Sequence, residues 1–234
     1  MGRPAKTIPY YQTMPKVKLE KFIGLYESLV GGNNLVVGCG VGDEIKNLAS
    51  CFPSSNFVGI DIEITVEESE ENWRTIYMDA QKLTFDPESF DFVYCYHVLE
   101  HVSDPEIVLE QIKLVLKPQG FALVGTPNKN RILGYFSSEN SLVDKIKWNY
   151  DDLSKKFRGK FENKYGAHAG FTTQEMKTML ERNFLEVNDV SNQYYIHLYP
   201  NYHFILRIFH FLKLSDYIFP SIYFTFGPSS ESKM

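Results

Sequence analysis

Short runs of β-branched and aromatic residues alternate along this chain with longer segments whose apolar residues recur at helical spacing. The pattern predicts seven strands: Leu35–Val37, Asn56–Ile60, Thr75–Met78, Phe90–Cys95, Phe121–Val124, Leu185–Val190 and Ser221–Phe226. The segments between the first five strands are mostly typical of helices. Strands and helices that alternate in this order indicate an α/β fold, in which helices cover both faces of a parallel sheet.

Two of the predicted helices have clear start signals. Asp104 followed by Pro105 is typical of an N-cap and the first helical position. Thr172 and Glu175 have the spacing of a capping box. Apolar residues recur at helical spacing after both starts, so we expect each helix to pack one face on the sheet.

The segments on either side of the strands divide the chain further. Residues 1–33 predict a polar arm and a helix at Val17–Val30, and residues 34–234 predict one domain. Within that domain, an irregular insertion of mixed polar, aromatic and Lys-rich sequence is predicted at about 129–170. Such a long insertion is more often a lid or substrate-binding element than a plain connection, the alternative being a solvated surface helix with ordinary charges.

A very apolar helix is predicted at about 202–214. His203, Arg207 and His210 form a narrow basic stripe on it, at positions i, i+4 and i+7. Its wide apolar face predicts packing on the core or over a substrate. Contact with a second copy of the chain and peripheral contact with a membrane are the alternatives.

Composition narrows the class of protein. The chain has 234 residues, a formal charge of -5 and 44% apolar residues, values that are typical of a globular domain and exclude a disordered tail or a collagen-like fibre. Its mild acidity argues against a dedicated nucleic-acid-binding protein. Cys39, Cys51 and Cys95 are odd in number and lack C-x-x-C spacing, and residues 1–16 contain no apolar secretion signal. We therefore expect a reducing, cytoplasmic location.

A glycine-rich turn follows the first predicted strand. Gly38, Gly40 and Gly42 come directly before Asp43 and Glu44, which open a helix. Glycines at the carboxyl end of a parallel strand let the backbone approach a ligand closely. The spacing is G-x-G-x-G rather than the dinucleotide pattern G-x-G-x-x-G, and the two acids are poorly placed beside a pyrophosphate. A ligand without phosphates fits this turn better.

Two acidic residues end the next two predicted strands. Asp61 lies 21 positions after Gly40 and is suited to accept hydrogen bonds from both hydroxyls of a ribose. Asp79, followed by Ala80, ends the third strand and can accept a hydrogen bond from the exocyclic amine of an adenine. Each acid alone could be an ordinary capping or surface residue, but the ordered set is far more specific.

The fourth and fifth strands complete a recognisable set of motifs. The fourth continues into Tyr96-His97-Val98-Leu99-Glu100-His101-Val102, and the fifth ends in Gly125-Thr126-Pro127-Asn128. With the glycine turn and the two acids, these motifs resemble the class I S-adenosylmethionine-dependent methyltransferases, particularly the branch that includes the ubiquinone-biosynthesis O-methyltransferases. The resemblance covers about 35–190. It implies a doubly wound, Rossmann-like sheet of seven strands, mostly parallel with an antiparallel last strand.

The resemblance also implies a cofactor, S-adenosylmethionine, with S-adenosylhomocysteine as product. The cofactor-binding residues it implies are Gly38, Cys39, Gly40, Gly42, Asp61, Ile62, Asp79, Ala80, Cys95 and Tyr96. The glycines would line its methionine part, Asp61 would hold the ribose, and Asp79 with Ala80 would hold the adenine. Cys95 and Tyr96 would border the cofactor near the acceptor.

Proton transfer from an oxygen or nitrogen acceptor calls for a base, and histidine is the natural candidate. His168, which precedes the Phe171-Thr172 helix start, is the first choice, with capping of its loop as the alternative. His97 is the second choice for the base.

A metal site is a further candidate at the end of the fourth strand. His97, Glu100 and His101 match the H-x-x-E-H motif of zinc proteases, but they follow a strand instead of lying in a helix. They also occupy the places of an E-x-x-E-H run with which some ubiquinone-pathway relatives bind a divalent metal. Because spacing does not establish coordination geometry, we favour a structural role for Glu100 and His101, without metal.

The acceptor is expected to be a small molecule, hydrophobic or aromatic, and no nucleic-acid partner is expected. Candidate wall residues of its pocket are Tyr10, Tyr11, Trp148, Tyr150 and Tyr194. Two other functions stay open. One is a non-catalytic methyltransferase-like scaffold, because Val36 stands where many relatives have Asp. The other is a dinucleotide-dependent oxidoreductase, against which the glycine spacing argues.

Overall fold

The computed structural model describes residues 32–134, 141–165 and 168–227 of the chain. The predicted helix at Val17–Val30 and the candidate wall residues Tyr10 and Tyr11 lie outside this part.

A single mixed sheet organises the domain. Its strands are β1 (Asn33–Val37), β2 (Asn56–Asp61), β3 (Trp73–Tyr77), β4 (Phe90–Tyr96), β5 (Leu116–Pro127), β6 (Glu186–Asp189) and β7 (Ser221–Gly227). They are ordered β3-β2-β1-β4-β5-β7-β6, and β7 is antiparallel to both of its neighbours. This confirms the predicted doubly wound, Rossmann-like α/β fold with an antiparallel last strand. The strand order reverses between β1 and β4, and ligands of such sheets bind at the carboxyl ends of the strands beside that point.

The described residues also form seven α-helices. They are α1 (Asp43–Cys51), α2 (Pro105–Val115), α3 (Leu142–Phe157), α4 (Thr173–Asn183), α5 (Ser191–Leu198), α6 (His203–Phe211) and α7 (Ser215–Ile218). Helices α2 and α4 pack on one face of the sheet, and α1 and α5 pack on the other. Helices were also expected between β2 and β3 and between β3 and β4, but residues 62–72 and 78–89 form none.

The predicted helix starts are confirmed at both α2 and α4. The Asp104 side chain accepts a hydrogen bond from Glu106 N ahead of α2, with Pro105 in the first turn. Thr172 and Glu175 form a complete capping box at the start of α4. Both helices turn their apolar residues to the sheet, as their spacing predicted.

The insertion is more regular than its sequence suggested. The expectation of irregular structure across 129–170 is wrong for α3, a helix of 16 residues that begins after the N-cap Ser141. None of its side chains is buried. Lys and Asp residues lie between its apolar positions and obscured the helical repeat.

The predicted C-terminal helix is shorter than expected and packs differently. Helix α6 spans His203–Phe211, within the predicted 202–214, and Leu206 is its one buried residue. The expectation that its wide apolar face lies on the core is therefore wrong for most of the helix. No helix of the described residues is long and apolar enough to cross a membrane.

Arg131 links the insertion to the sheet. Its guanidinium, 4% exposed, donates from Nη2 to Asp152 Oδ2 of α3 at 2.8 Å and to His168 O at 2.9 Å. Its Nη1 donates to the carbonyl oxygens of Asn128 at 3.1 Å and Ala169 at 3.2 Å. One side chain thus holds together the end of β5, α3 and the segment that carries His168.

We expect Arg131→Met to lower the free energy of unfolding by about 3–5 kcal/mol, because it leaves the Asp152 carboxylate and three carbonyl groups without their buried cation. Urea unfolding followed by circular dichroism measures the loss. The control is Lys129→Met, which breaks the more exposed pair with Glu175 and should cost about 1 kcal/mol or less. Equal costs for the two variants would contradict the role given to Arg131.

Candidate active site

The glycine turn after β1 leaves open space above its backbone. Gly38 and Gly40 have φ of +77° and +54°, a region that favours glycine. A Cβ on Gly38 would lie 2.2 Å from Val98 Cγ2, whereas a Cβ on Gly40 would meet no atom within 4 Å. Hydrogen bonds from Gly38 N and Cys39 N to Ile60 O hold the turn against β2. A ligand can therefore approach the backbone at Gly40.

Asp61 connects the end of β2 to this turn. Its Oδ2 accepts from Gly40 N at 2.9 Å, and its Oδ1 accepts from Glu63 N at 2.8 Å. A carboxylate has about four acceptor sites, so roughly two remain for the hydroxyl groups of a ligand. The side chain of Ile62 beside it is 62% exposed. The structure thus brings the glycine turn and Asp61 together as the sequence predicted.

Asp79 and Ala80 follow β3 at the same edge of the sheet. Tyr77 pairs with Asp61 in the parallel ladder, which places Asp79 two residues beyond Asp61 along this edge. The Asp79 side chain is exposed and accepts from Gln81 N at 2.8 Å, while Ala80 is buried. The exposed carboxylate lies where a ligand held by Asp61 would extend towards β3.

Val36, at the position where many relatives have Asp, has no side-chain group that could bond to the glycine turn. Its side chain is 1% exposed and packs in the core on the α1 side of the sheet. The backbone of Ile60 and the carboxylate of Asp61 hold the turn instead. Val36 suggested a non-catalytic scaffold, but the glycine turn is held in place without an Asp at this position.

The two cysteines of the predicted site point into the core. Burial, and then the charge of Asp61, raise the pKa of the Cys39 thiol to about 12. Cys95 is fully buried on the α2 side, and burial raises its pKa as well. Neither thiol is a nucleophile at neutral pH. Contact between Cys95 and a ligand would be made by its backbone.

Tyr96 lies on the opposite face of the sheet, in a stack of tyrosines. Its ring is parallel to that of Tyr223, with 5.8 Å between the centroids, and Tyr223 in turn stacks on Tyr194 at 3.9 Å. Burial raises the pKa of Tyr96 to about 12. Tyr194, predicted as a wall residue, is 1% exposed and belongs to the core. Trp148 and Tyr150 lie on α3, where Tyr150 is 74% exposed.

A buried carboxylate and histidines cluster beyond the ends of β4 and β5. Nδ1 of His97 lies 3.0 Å from Oε1 of Glu100, and the Glu100 side chain is fully buried. Thr126, at the end of β5, donates from Oγ1 to Glu100 Oε2 at 3.2 Å. Nε2 of His101 lies 3.9 Å from Glu100 Oε1, and its ring is 4.7 Å from that of His168.

The structure therefore brings the candidate base His168 next to the H-x-x-E-H run, although His168 lies 67 positions after His101. Thr126 also belongs to this cluster, but sequence reasoning did not propose it as a site residue. Its position at the end of β5, next to the strand that His97 follows, could have indicated it.

Electrostatics keep the carboxylate charged and two of the imidazoles neutral. Burial acts to raise the pKa of Glu100, but the charge and hydrogen bond of His97, with His101, outweigh it and lower the pKa. Burial lowers the pKa of His101, and that of His168 to about 4. The lowered pKa makes His168 a weak base at neutral pH. The contact of His97 with Glu100 favours His97 as the candidate base on geometry.

In the part of the chain covered by 32–134, 141–165 and 168–227, no group of three or more His, Cys, Asp or Glu side chains is arranged to hold a metal ion. His97 Nδ1 instead faces Glu100, and His101 stands farther from the same carboxylate.

The depressed pKa of His168 predicts a pH-dependent stability. The unfolded histidine, with a pKa of about 6.5, binds more protons than the folded one between pH 6.5 and 4. The free energy of unfolding should therefore fall as the pH falls through this window, by on the order of 2 kcal/mol from this residue. Urea unfolding between pH 7.5 and 4.5 should show a shallower decline in His168→Asn. Parallel curves for the two proteins would contradict the burial of a neutral His168.

Comparison with known proteins relates part of the chain to one family. Residues 35–124, which carry the glycine turn, both acids and β4, match the family described as "Methyltransferase domain". This part of the chain is therefore similar to a methyltransferase domain.

Several curated proteins that are similar to this part of the chain carry the same name. The ubiquinone biosynthesis O-methyltransferase of Hydrogenovibrio crunogenus is 30% identical over 135 residues, which are 52% of this chain and 55% of that protein. The protein of the same name from Haemophilus ducreyi is 33% identical over 114 residues, covering 43% and 48%. The chain thus spans about half the length of the curated relatives it matches.

Solved structures extend the similarity to most of the chain. The plantazolicin methyltransferase BpumL, in complex with a triazolic desmethylPZN analog and SAH, has a TM-score of 0.58 at 16% identity, covering 92% of this chain and 86% of that one. Phosphoethanolamine N-methyltransferase 2 of Haemonchus contortus, with phosphomonomethylethanolamine and S-adenosylhomocysteine, has a TM-score of 0.52 at 15% identity, covering 89% and 52%. At these identities the likeness shows a shared methyltransferase fold.

Proposed function

We propose that this chain is an S-adenosylmethionine-dependent methyltransferase that acts on an oxygen or nitrogen atom of a small molecule. The observation that carries the proposal is the link between Asp61 and Gly40. This link supports the proposal because a carboxylate suited to accept from ribose hydroxyls lies beside an open backbone turn. Ligands of such sheets bind at this point. The matching domain and its relatives, named O-methyltransferases, support the same chemistry.

Different residues at the strand ends would hold different parts of the cofactor. The turn around Gly40 would accommodate the methionine part, Asp61 would accept from the ribose hydroxyls, and Asp79 would accept from the adenine amine. S-adenosylmethionine supplies a methyl group already activated on a sulfonium. The protein therefore has mainly to align the acceptor and to exclude water.

His97 would remove the proton of the acceptor. Glu100 holds the Nδ1 side of the ring, so Nε2 points away from the carboxylate and can accept a proton. The buried negative charge would stabilise the imidazolium that forms, and Thr126 fixes the other carboxylate oxygen. Val98, the next residue, lies against Gly38, and this contact supports a base close to the glycine turn.

Helix α3 would border the acceptor. Arg131 joins Asp152 of α3 to the backbone of His168, and His168 contacts His101. The exposed aromatic and apolar residues of α3 fit a hydrophobic or aromatic acceptor, for which Trp148 and Tyr150 remain candidate wall residues. A cytoplasmic location stays a prediction from the sequence.

Acceptor-dependent formation of S-adenosylhomocysteine tests this function. The full chain is incubated with S-adenosylmethionine and a panel of catechols, phenols and amines, and mass spectrometry follows both products. We expect product with catechols or phenols, or with amines if nitrogen is the acceptor. Tight binding of S-adenosylmethionine with no turnover across the panel would support a non-catalytic scaffold.

A further inference from the structure

The methionine part of S-adenosylmethionine carries a charge that still lacks an assigned partner in the proposed site. Its α-ammonium group is a cation at neutral pH, and the turn around Gly40 would accommodate this part of the cofactor. Asp61 and Asp79 are assigned to the ribose and the adenine, and the side chain of Val36 in β1 is apolar and buried. An ammonium group that leaves water needs a carboxylate or other acceptors around it. We therefore looked for a further acidic residue beside the glycine turn.

Glu44 is an acidic residue at the inner side of this turn. Helix α1 begins directly after Gly42, so Asp43 and Glu44 form its first turn. Asp43 is exposed, whereas Glu44 is half-buried. The next residue, Ile45, is fully buried in the core on the α1 side of the sheet. Two carboxylates with the same charge on the same helical turn thus differ in how far solvent reaches them.

The charge of Glu44 acts on side chains beneath the turn. Burial is the largest cause that raises the pKa of Tyr94, and the charge of Glu44 is the next. The same charge adds to burial and to Asp61 in raising the pKa of Cys39, within the turn. Tyr94 pairs with Val36 in the ladder between β1 and β4, and both side chains pack on the α1 side of the sheet. Glu44 therefore supplies a negative charge on the side of the turn where Val36 supplies none.

A buried hydroxyl in the same region lacks a partner. Tyr94 is 1% exposed, and its Oη has no hydrogen-bond partner among the described residues. Buried polar groups are rarely left unpaired, because they lose their bonds to water on folding. By contrast, Oη of Tyr195 in the same core cluster accepts from Ser221 N at 3.1 Å and donates to Ser221 O at 3.2 Å. The unpaired hydroxyl of Tyr94 indicates a polar group that binds beside it.

The chemistry of these two side chains favours a cation. A carboxylate only accepts hydrogen bonds, a hydroxyl can accept them, and an ammonium group only donates. The negative charges of Asp43 and Asp61 on either side would repel an anionic group. The alternative is that Glu44 only stabilises the positive end of the α1 dipole, a role that Asp43 on the same turn would share.

We infer that Glu44 binds the α-ammonium group of S-adenosylmethionine, with Tyr94 Oη as a second acceptor. The inference rests on the proposed function, because it concerns the same cofactor. S-adenosylhomocysteine carries the same ammonium group without the sulfonium, so its binding should depend on Glu44 equally. The nucleoside 5′-methylthioadenosine lacks the amino-acid part, so its binding should not depend on Glu44.

Isothermal titration calorimetry of the full chain with these three ligands tests the inference, at pH 7.0, where an α-amino group is mostly protonated. We expect Glu44→Gln to weaken the binding of S-adenosylmethionine and of S-adenosylhomocysteine by at least about 10-fold, the effect of losing a charged hydrogen bond. Tyr94→Phe should weaken both by about threefold or more. Each variant should bind 5′-methylthioadenosine within about twofold of the parent.

The matched control is Asp43→Asn, which removes the same charge from the exposed neighbour on the same helical turn. It should change all three affinities by less than about twofold. Thermal unfolding of each variant confirms folding and measures the contribution of either acid to α1, which a purely structural role of Glu44 would place in stability alone.

The pattern of losses decides the result. Glu44→Gln affinities equal to those of the parent would overturn the inference and leave the proposed function intact. An equal loss for 5′-methylthioadenosine, or an equal loss in Asp43→Asn, would assign Glu44 to the structure of the turn. A loss confined to S-adenosylmethionine would assign it to the sulfonium. A parent protein that binds neither sulfur ligand would overturn the inference and the proposed function together.

Discussion

Asp61→Ala is expected to weaken the binding of S-adenosylmethionine by at least about 100-fold while the domain stays folded. Two hydrogen bonds from ribose hydroxyls to a charged acceptor contribute about 1.5–3 kcal/mol each. The substitution also removes the contact that holds Gly40 N. Asp61 is only partly buried, so the cost to stability should stay near 1 kcal/mol.

Isothermal titration calorimetry measures this affinity, with thermal unfolding as the check on folding. The matched control is Glu63→Ala, which removes an exposed carboxyl two residues away and should change affinity by less than about threefold. An Asp61→Ala protein that folds and binds as tightly as the parent would contradict the ribose contact.

His97→Gln is expected to lower kcat by about 10²–10⁴-fold, the range for loss of a general base. The affinity for S-adenosylmethionine should change little. Glu100→Gln should lower kcat by roughly 10–100-fold, because the amide keeps the shape of the carboxyl but loses the charge that orients and stabilises the imidazolium. Steady-state kinetics with a catechol or amine found in the acceptor screen measure both effects.

His168→Asn separates the two candidate bases. With a pKa lowered to about 4, His168 is a weak base, and its removal should lower kcat by less than about fivefold if His97 carries the proton transfer. A loss in His168→Asn larger than in His97→Gln would restore His168 as the base and contradict the role given to the His97 and Glu100 pair.

Local signals explain which parts of the fold were predictable from the sequence. The caps at Asp104 and Thr172 act within a few residues, so both helix starts were predicted where they occur. Most strands carry apolar runs and were predicted close to their observed positions, but β5 begins at Leu116, five residues before its predicted start. Helix α3 was expected only as the alternative to an irregular insertion, because its apolar residues face solvent and are interleaved with charges. Helix α5 was missed because its sequence, SNQYYIHL, has no clear apolar face.

Part of the candidate site was likewise predictable from the sequence, and part was not. The glycine turn and Asp61 lie at the ends of adjacent strands, so strand order alone predicted that they meet. The contact of His168 with His101 depends on the path of the insertion, which Arg131 fixes through hydrogen bonds to His168 O and Asp152. The exposure of the apolar residues of α3 depends on the same contacts of Arg131. Such long-range contacts have no signature in local sequence.

The most direct test of the central claim is calorimetric titration of the purified full chain with S-adenosylmethionine, S-adenosylhomocysteine and NAD. We predict saturable binding of the two sulfur ligands and no binding of NAD, because the proposed site at Gly40, Asp61 and Asp79 lacks the dinucleotide glycine spacing. A folded, ligand-free sample that binds neither sulfur ligand would contradict the proposed function and leave the likeness to methyltransferases as one of fold alone.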